Sequence, residues 1–370
     1  MKMLILHHCD SWGGAGVSLR DLCKMLAGEH DVTVCLPHVD SEVDRELKKL
    51  DGIKTVAINA DMGMISAYNG GPSMLTRTFV RNLLRTGKSG RRLDVILNSG
   101  YDVVILNSIT LAWASRAVKK AGAKCVIYIR ETKVDNLAYR YCKHLINKYC
   151  DGVLFISEYD KRITALKVKD QAAVRDCIEL DKYDVKLTRE EACEMFGLDK
   201  DKFNLLYVGG TDELKGHGVI VSAMSKIDEP NIQLIAAGGA AEAKRTLADN
   251  ITYLGKVFDM PTLYRACDAL VFPSTKGHQA RPAFEAGVLG LPVIISDFPE
   301  TADEIRSGDN GLTFKPCDSD DLKDKIIQLY NSRALRQVLG EKNRENAVQR
   351  HDLVSVQKDL NEFLEKYNTL

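Results

Sequence analysis

The sequence predicts an α/β protein of two doubly wound domains, each a parallel sheet with helices on both faces. Three observations carry this prediction. Short apolar runs alternate with segments of helical spacing in both halves of the chain, the pattern of strands buried on both faces. Several runs end in glycine-rich turns, where a backbone can approach a ligand closely. The length, 370 residues, exceeds what one core usually supports, so two domains of under about 200 residues each are expected.

In the first half, residues 3–6 (MLIL) read as a buried strand, 9–16 (CDSWGGAG) as a turn, and 17–26 as a helix with Leu19, Leu22, Met25 and Leu26 on one face. The turn is either a ligand-free βα connection or a helix start that receives an anion. His7 and His8 end the first strand without the spacing of a zinc site, and no role is assigned to them. Residues 31–37 (DVTVCLP) are a second strand, and residues 62–71 carry glycines without a firm period. Residues 76–92 then hold Arg77, Arg81, Arg85, Lys88, Arg91 and Arg92 with no acid among them. Arg77, Arg81 and Arg85 share one helical face, while Phe79, Val80, Leu83 and Leu84 supply an apolar one. Such a helix suits anionic lipid or an anionic acceptor, or else it packs normally with a solvated face. Further strands at 103–106, 125–129 and 153–156 alternate with helical segments at 111–120 and 137–149. Arg130 and Glu131, and then Ser157 and Glu158, follow strand ends, where doubly wound sheets bind ligands.

Residues 173–191 lose the apolar period and gain charge, which places a domain boundary near Cys177 and divides the chain into 1–177 and 178–352. A second series follows: a strand at 204–208, a turn carrying Gly209 and Gly210, and a helix to 227. Next come a strand at 232–237 with Gly238 and Gly239 behind it, and strands at 270–272 and 291–295. Between the last two lies KGHQARPAFEAGVLGLPVIIS, residues 276–296. Pro282 suits a first helical turn, where its missing N–H costs nothing, so a helix begins near Arg281 and Gly290 can end it. Its free N–H groups and positive dipole end face residues 277–280 and make a receptor for an anion such as phosphate, with Glu285 one turn inside. Finally, Leu353, Val356, Leu360, Phe363 and Leu364 form one apolar helical face that needs a surface to cover, and helix 353–370 is expected to complete the first domain.

Composition narrows the function classes. With 51 basic and 51 acidic residues the chain lacks the basic excess of a nucleic-acid binder. Ten cysteines without a CxxC pair, and a start that turns polar after six residues, point to reduced thiols and a cytoplasmic protein. No run approaches the ~18 apolar residues of a membrane span, so membrane contact would be peripheral, at the cytoplasmic face. Asp199 and Asp201 flank Lys200 in a charged turn that reads as solvated surface rather than a metal site.

Taken in order, GGAGVSLRDLCKML (13–26), HDVTVCLP (30–37), YDVVILNS (101–108), DGVLFISE (151–158), VGGTDELKG (208–216), IQLIAAGG (232–239), ITYLGKVFDMPTLYRACDALVFPS (251–274) and ARPAFEAGVLGLPVIIS (280–296) resemble the retaining glycosyltransferases of family 4. The resemblance implies the GT-B fold, two Rossmann-like domains facing a cleft, and transfer of a sugar from a UDP- or GDP-linked donor to a hydroxyl of a glycan, glycolipid or lipid-linked acceptor. It implies no metal and no cofactor. By position, Lys215 matches the lysine on the donor diphosphate, Gly14 the backbone that closes on it, Glu285 the second glutamate of an E-x7-E pattern, on the ribose, and Val257 the backbone beside the base. The amides of Arg281 and Ala283 would receive phosphate oxygens, with Gly209, Gly210, Gly238, Gly277, His278, Gln279 and Ala280 lining the donor.

Three departures stand out. Gly277 occupies the place of the first glutamate, leaving a sugar contact missing or supplied by His278 or Gln279. Gly210 replaces a common arginine, whose charge Arg281 could restore. Arg130, followed by Glu131, replaces a histidine. Two alternatives remain: a nucleotide-sugar 2-epimerase of the same fold, using Glu131 and His278 as acid and base, and a catalytically silent sugar-nucleotide binder.

Overall fold

The apolar runs become the inner strands of two parallel sheets. A computed structural model describes residues 1–65, 67, 76–239 and 250–368, with the side chains of Thr78, Phe79 and Leu83 outside that set. Of the glycine-bearing stretch 62–71, residues 66 and 68–71 also lie outside it. The chain forms two compact units, Met1–Cys177 with Leu353–Leu370, and Ile178–Asp352.

In the first unit, β1 (Lys2–Leu6), α1 (Gly14–Ala27), β2 (Asp31–Leu36), α2 (Glu42–Leu47), β3 (Ile53–Ala57), α3 (Arg77–Leu97), β4 (Val103–Leu106), α4 (Ser115–Lys120), β5 (Lys124–Ile129), α5 (Leu137–Tyr149), β6 (Gly152–Phe155), α6 (Glu158–Thr164) and β7 (Asp170–Ala173) alternate along the chain. The sheet runs β3-β2-β1-β4-β5-β6-β7. Alternate residues serve opposite faces: Leu4, Leu6, Val104 and Leu106 enter one core, and Met3, Ile5, Val103 and Ile105 the other. The helix expected over 111–120 begins instead as a 3-10 stretch, Ile109–Ala114, because the Ser108 hydroxyl accepts the Thr110 N–H at 3.0 Å and tightens the first turn.

The second unit continues with α7 (Arg189–Phe196), β8 (Phe203–Val208), α8 (His217–Met224), β9 (Ile232–Ala237), β10 (Ile251–Gly255), α9 (Met260–Ala266), β11 (Ala269–Phe272), α10 (Arg281–Val288), β12 (Val293–Ser296), β13 (Leu312–Phe314), α11 (Ser319–Asn331) and α12 (Arg333–His351). Its sheet runs β10-β9-β8-β11-β12-β13. Both orders reverse their direction of winding once, between β1 and β4 and between β8 and β11, and those are the points where a doubly wound sheet opens a crevice.

Helix α13 (Leu353–Leu364) packs on the first unit, burying Val356, Leu360, Phe363 and Leu364 in the layer that also holds Leu19 and Leu22. Each such burial stabilises by roughly 1.5–3 kcal/mol. Gly152 in β6 allows the approach, since a Cβ there would lie 2.2 Å from Tyr367 Oη and 2.7 Å from Phe363 Cζ.

Candidate functional site

In the second unit, the turns after β8 and β11 bring Lys215 and residues 277–281 to the same switch point. The first turn leaves little room for side chains. Gly209 and Gly210 both donate to the Ala237 carbonyl at 3.0 Å, and Gly210 has φ 58°, with a Cβ there falling 2.7 Å from the Gly238 carbonyl carbon. The arginine of the resembling family therefore cannot replace Gly210 on this backbone. Gly238, φ 103°, donates to Gly255 at 2.7 Å and completes the packed glycine turn. Lys215 ends a 3-10 turn, Glu213–Lys215, that Asp212 caps through the Leu214 N–H at 2.9 Å. Gly216 follows at φ 83°, and its missing Cβ would lie 1.7 Å from the Pro273 carbonyl oxygen. Thr275 donates its N–H to Leu214 at 3.0 Å and its hydroxyl to Glu213 at 3.1 Å. The Lys215 turn is thus fastened to the β11 loop, while Lys215 itself is exposed and makes no ion pair among the described residues.

Helix α10 begins at Arg281 with Ala280 as a cap that lends no side chain, and Pro282 lies in its first turn. One expectation needs correction here. The Ala283 N–H already donates to the Ala280 carbonyl at 2.8 Å, so that amide is committed within the turn. Arg281 Nε donates to Glu285 Oε1 at 2.8 Å, so its charge is paired along its own helix. The other oxygen, Glu285 Oε2, accepts the Tyr264 hydroxyl at 2.9 Å. Burial, and then the Glu285 charge, hold the Tyr264 phenol well above its ordinary pKa, so it stays a donor. Glu285 is thereby fixed at both oxygens, each with a lone pair left for a further donor.

His278 donates from Nδ1 to the Lys276 carbonyl at 3.0 Å and meets the Phe272 ring edge-on at 5.1 Å. Burial lowers its pKa, the Lys276 contact opposes that, and the Lys215 charge lowers it further. A neutral ring with Nε2 as an acceptor results. Gln279 donates to the Glu300 carbonyl at 3.3 Å. Val257 is half-buried against the core, and beside it stands Phe258, an exposed ring with Lys256 over it at 5.1 Å.

At the first unit's switch point, Gly13 and Gly14 open α1, and a Cβ on either would meet no atom within 4 Å. The fold alone does not require those glycines. Arg130 is far from solvent-like: Nε donates to Asn107 Oδ1 at 2.6 Å, Nη1 pairs with Asp176 at 2.5 Å, and the guanidinium lies 4.0 Å from the Tyr128 ring centre. With Asn107 Oδ1 facing Arg130, its amide donates to His7 Nδ1 at 3.1 Å, which puts the His7 proton on Nε2, toward Cys9 Sγ at 3.1 Å. Burial, then His8 and Arg130, hold His7 well below its ordinary pKa. Glu131 accepts from the Ser108 hydroxyl and from the Ile109 N–H at 3.0 Å, so this carboxylate caps the 3-10 stretch. Ser157 caps α6, accepting the Asp160 N–H at 3.0 Å, and Glu158 is exposed beside Lys161. Neither belongs to this network. Asn107 carried the same signal as Arg130, a position right after a strand, whereas Asp176 lay in a charged connection with no signal of its own.

The basic helix α3 also differs from expectation. Val80 and Leu84 are exposed alongside Arg77, Arg81, Lys88 and Arg91, and the buried face carries Asn82, Ser89, Leu93 and Leu97. Phe79 and Leu83, expected on the apolar face, lie outside the described side chains. Arg85 is withdrawn by an ion pair with Asp61, and Arg92 by donation to the Ile58 carbonyl at 2.6 Å. Among the described residues no helix is long and apolar enough to cross a membrane.

The family described as Glycosyltransferase Family 4 matches residues 12–172, and that described as Glycosyl transferases group 1 matches residues 188–346. An uncharacterized 41.2 kDa protein in the cps region of Klebsiella pneumoniae is 24% identical over 262 residues, 66% of this chain and 70% of that protein. The N,N'-diacetylbacillosaminyl-diphospho-undecaprenol alpha-1,3-N-acetylgalactosaminyltransferase of Campylobacter jejuni is 26% identical over 161 residues, 44% of this chain and 37% of that enzyme. The chain spans under half the length of most of the curated relatives it matches. In fold, it superposes on Anabaena HepE, solved in complex with UDP-glucose, with a TM-score of 0.82 at 18% identity, covering 99% of this chain and 100% of that one. Two family matches in tandem, covering one doubly wound unit each, settle the question that either alone would leave open: the chain belongs to the family 4 type of GT-B glycosyltransferases.

Proposed function

We propose that this glycosyltransferase moves a sugar from a nucleoside-diphosphate donor to an acceptor hydroxyl with retention of anomeric configuration and without a metal. The observation that carries the reading is that Lys215, exposed and without an ion pair among the described residues, and the α10 start with the doubly anchored Glu285 follow β8 and β11, the strands at the switch point. A cation there offsets charge developing on the leaving diphosphate, and an oriented carboxylate suits the ribose hydroxyls. Removing one such electrostatic contact costs roughly 2.7–4 kcal/mol in enzymes that depend on it. With Arg281 balanced by Glu285, Lys215 carries most of this work.

The acceptor is read from α3. Exposed Val80 and Leu84 among Arg77, Arg81, Lys88 and Arg91 suit the boundary of an anionic bilayer, where cations meet headgroups and apolar side chains enter beneath them. A lipid-linked acceptor fits such a surface, and one relative is named for a diphospho-undecaprenol acceptor. The epimerase reading is disfavoured because Glu131 is spent on the Ser108 hydroxyl and the Ile109 N–H.

Proton NMR of a reaction containing the full chain, a chelator, a panel of UDP- and GDP-linked sugars and a lipid-linked acceptor tests the proposal. The expected product keeps the donor's anomeric configuration. An inverted product, isomerisation of the donor, or binding without turnover each contradicts it.

A further inference from the structure

Gly277 is one of the positions where this chain departs from the family it resembles, and its surroundings are specific. A Cβ on Gly277 would lie 2.2 Å from Glu300 Oε2 and 2.8 Å from Glu300 Oε1. The carboxylate of Glu300 therefore occupies the volume in which a side chain at 277 would begin. Glu300 reaches this place from the loop after β12, at the same carboxyl edge of the sheet as the Lys215 and 277–281 turns. That loop is held firmly. The Ser296 hydroxyl donates to Ser274 at 2.8 Å, tying the ends of β12 and β11 together, and the Thr301 hydroxyl donates back to Ser296 at 3.0 Å. Gln279 adds its amide contact to the Glu300 carbonyl at 3.3 Å.

Glu300 Oε2 is buried, and it has no hydrogen-bond partner among the described residues. A buried carboxylate oxygen without a partner is unfavourable, and a hydrogen-bond donor that reaches it is bound the more firmly. A phosphate cannot be that donor, because it would bring a second negative charge. Hydroxyl groups can.

We propose that Glu300 binds hydroxyls of the donor sugar, supplying beside Gly277 the carboxylate that the sequence lacks at position 277. This rests on the donor-site reading above. Glycine at 277 is then a requirement rather than a loss: it makes room for a carboxylate delivered from another loop. Gln279 helps to place Glu300 by donating to its backbone carbonyl.

Isothermal titration of the full chain with UDP, GDP, UDP-glucose, UDP-N-acetylglucosamine, UDP-galactose and GDP-mannose tests the assignment. Glu300→Gln keeps the shape of the side chain and removes its charge. It is expected to bind the preferred nucleoside diphosphate within twofold of wild type and the matching nucleotide sugar at least tenfold more weakly. Gly277→Glu alone is expected to lose sugar binding through collision with Glu300, and Gly277→Glu combined with Glu300→Gly to regain it to within threefold of wild type. Equal weakening of nucleotide and nucleotide sugar by Glu300→Gln, or no weakening of either, overturns the assignment. Failure of the wild-type chain to bind any of the six probes removes the donor-site reading itself, and Glu300's role with it.

Discussion

Restoring the family's arginine at position 210 is expected to damage this protein rather than improve it. Gly210 sits at φ 58°, where an L side chain costs about 1–2 kcal/mol. Its Cβ would also lie 2.7 Å from the Gly238 carbonyl carbon and 2.7 Å from the Gly239 nitrogen, both backbone atoms that cannot swing aside. Reaching ordinary contact requires the turn to shift by roughly 0.7 Å, which strains two N–H bonds to the Ala237 carbonyl worth about 1 kcal/mol each. The sum for Gly210→Arg is about 2–4 kcal/mol, or a melting shift of about 5–15 °C in a unit of this size. Calorimetry on wild type and variant, with transfer rates measured below both transitions, gives the answer. A variant that melts within 1 °C of wild type and transfers faster would refute the argument that this backbone was rebuilt around the missing side chain.

Two further outcomes follow. Because burial lowers the His7 pKa, the unfolded chain binds more protons than the folded one below its ordinary value of about 6.5. Stability therefore falls as pH falls below that value, by up to about 1.4 kcal/mol per pH unit for this histidine. Urea melts from pH 7.5 to 5.5 should show a shallower slope for His7→Asn, and an unchanged slope would exclude His7 as a source. Separately, Arg81→Ala with Lys88→Ala should weaken flotation on phosphatidylserine-containing vesicles about thirtyfold, from ~1 kcal/mol per cation. Binding that is indifferent to anionic lipid contradicts the membrane reading of α3.

The sheets were legible in the sequence wherever strands are buried on both faces. Runs such as VVIL in β4 and ALVF in β11 are apolar throughout because no face meets water. The strands that the apolar pattern does not predict are β3 (IKTVA), β7 (DQAA), β10 (ITYLG) and β13 (LTF), and all four are sheet edges. Half-buried edges tolerate Lys, Asp, Gln and Thr, and so lose the signal. The candidate site divides in the same way. Lys215 and Glu285 are candidates through the resemblance to family 4, and Arg281 also through the helix start marked by Pro282. Tyr264 on Glu285, Glu300 against Gly277, and the Asn107–Arg130–Asp176 chain depend on contacts between distant segments, which no local pattern encodes. Arg281 and Glu285 stand at i and i+4 on one helix, the spacing at which their side chains meet.

The proposed function requires the second unit to bind a nucleoside diphosphate through Lys215. Its most direct test is titration of UDP and GDP into the wild-type chain and into Lys215→Ala, whose exposed side chain can be removed with little effect on folding. One of the two nucleotides is expected to bind the wild type and to bind Lys215→Ala at least tenfold more weakly, with the melting temperatures of the unliganded proteins within 1 °C. Equal affinities in the two proteins would contradict it.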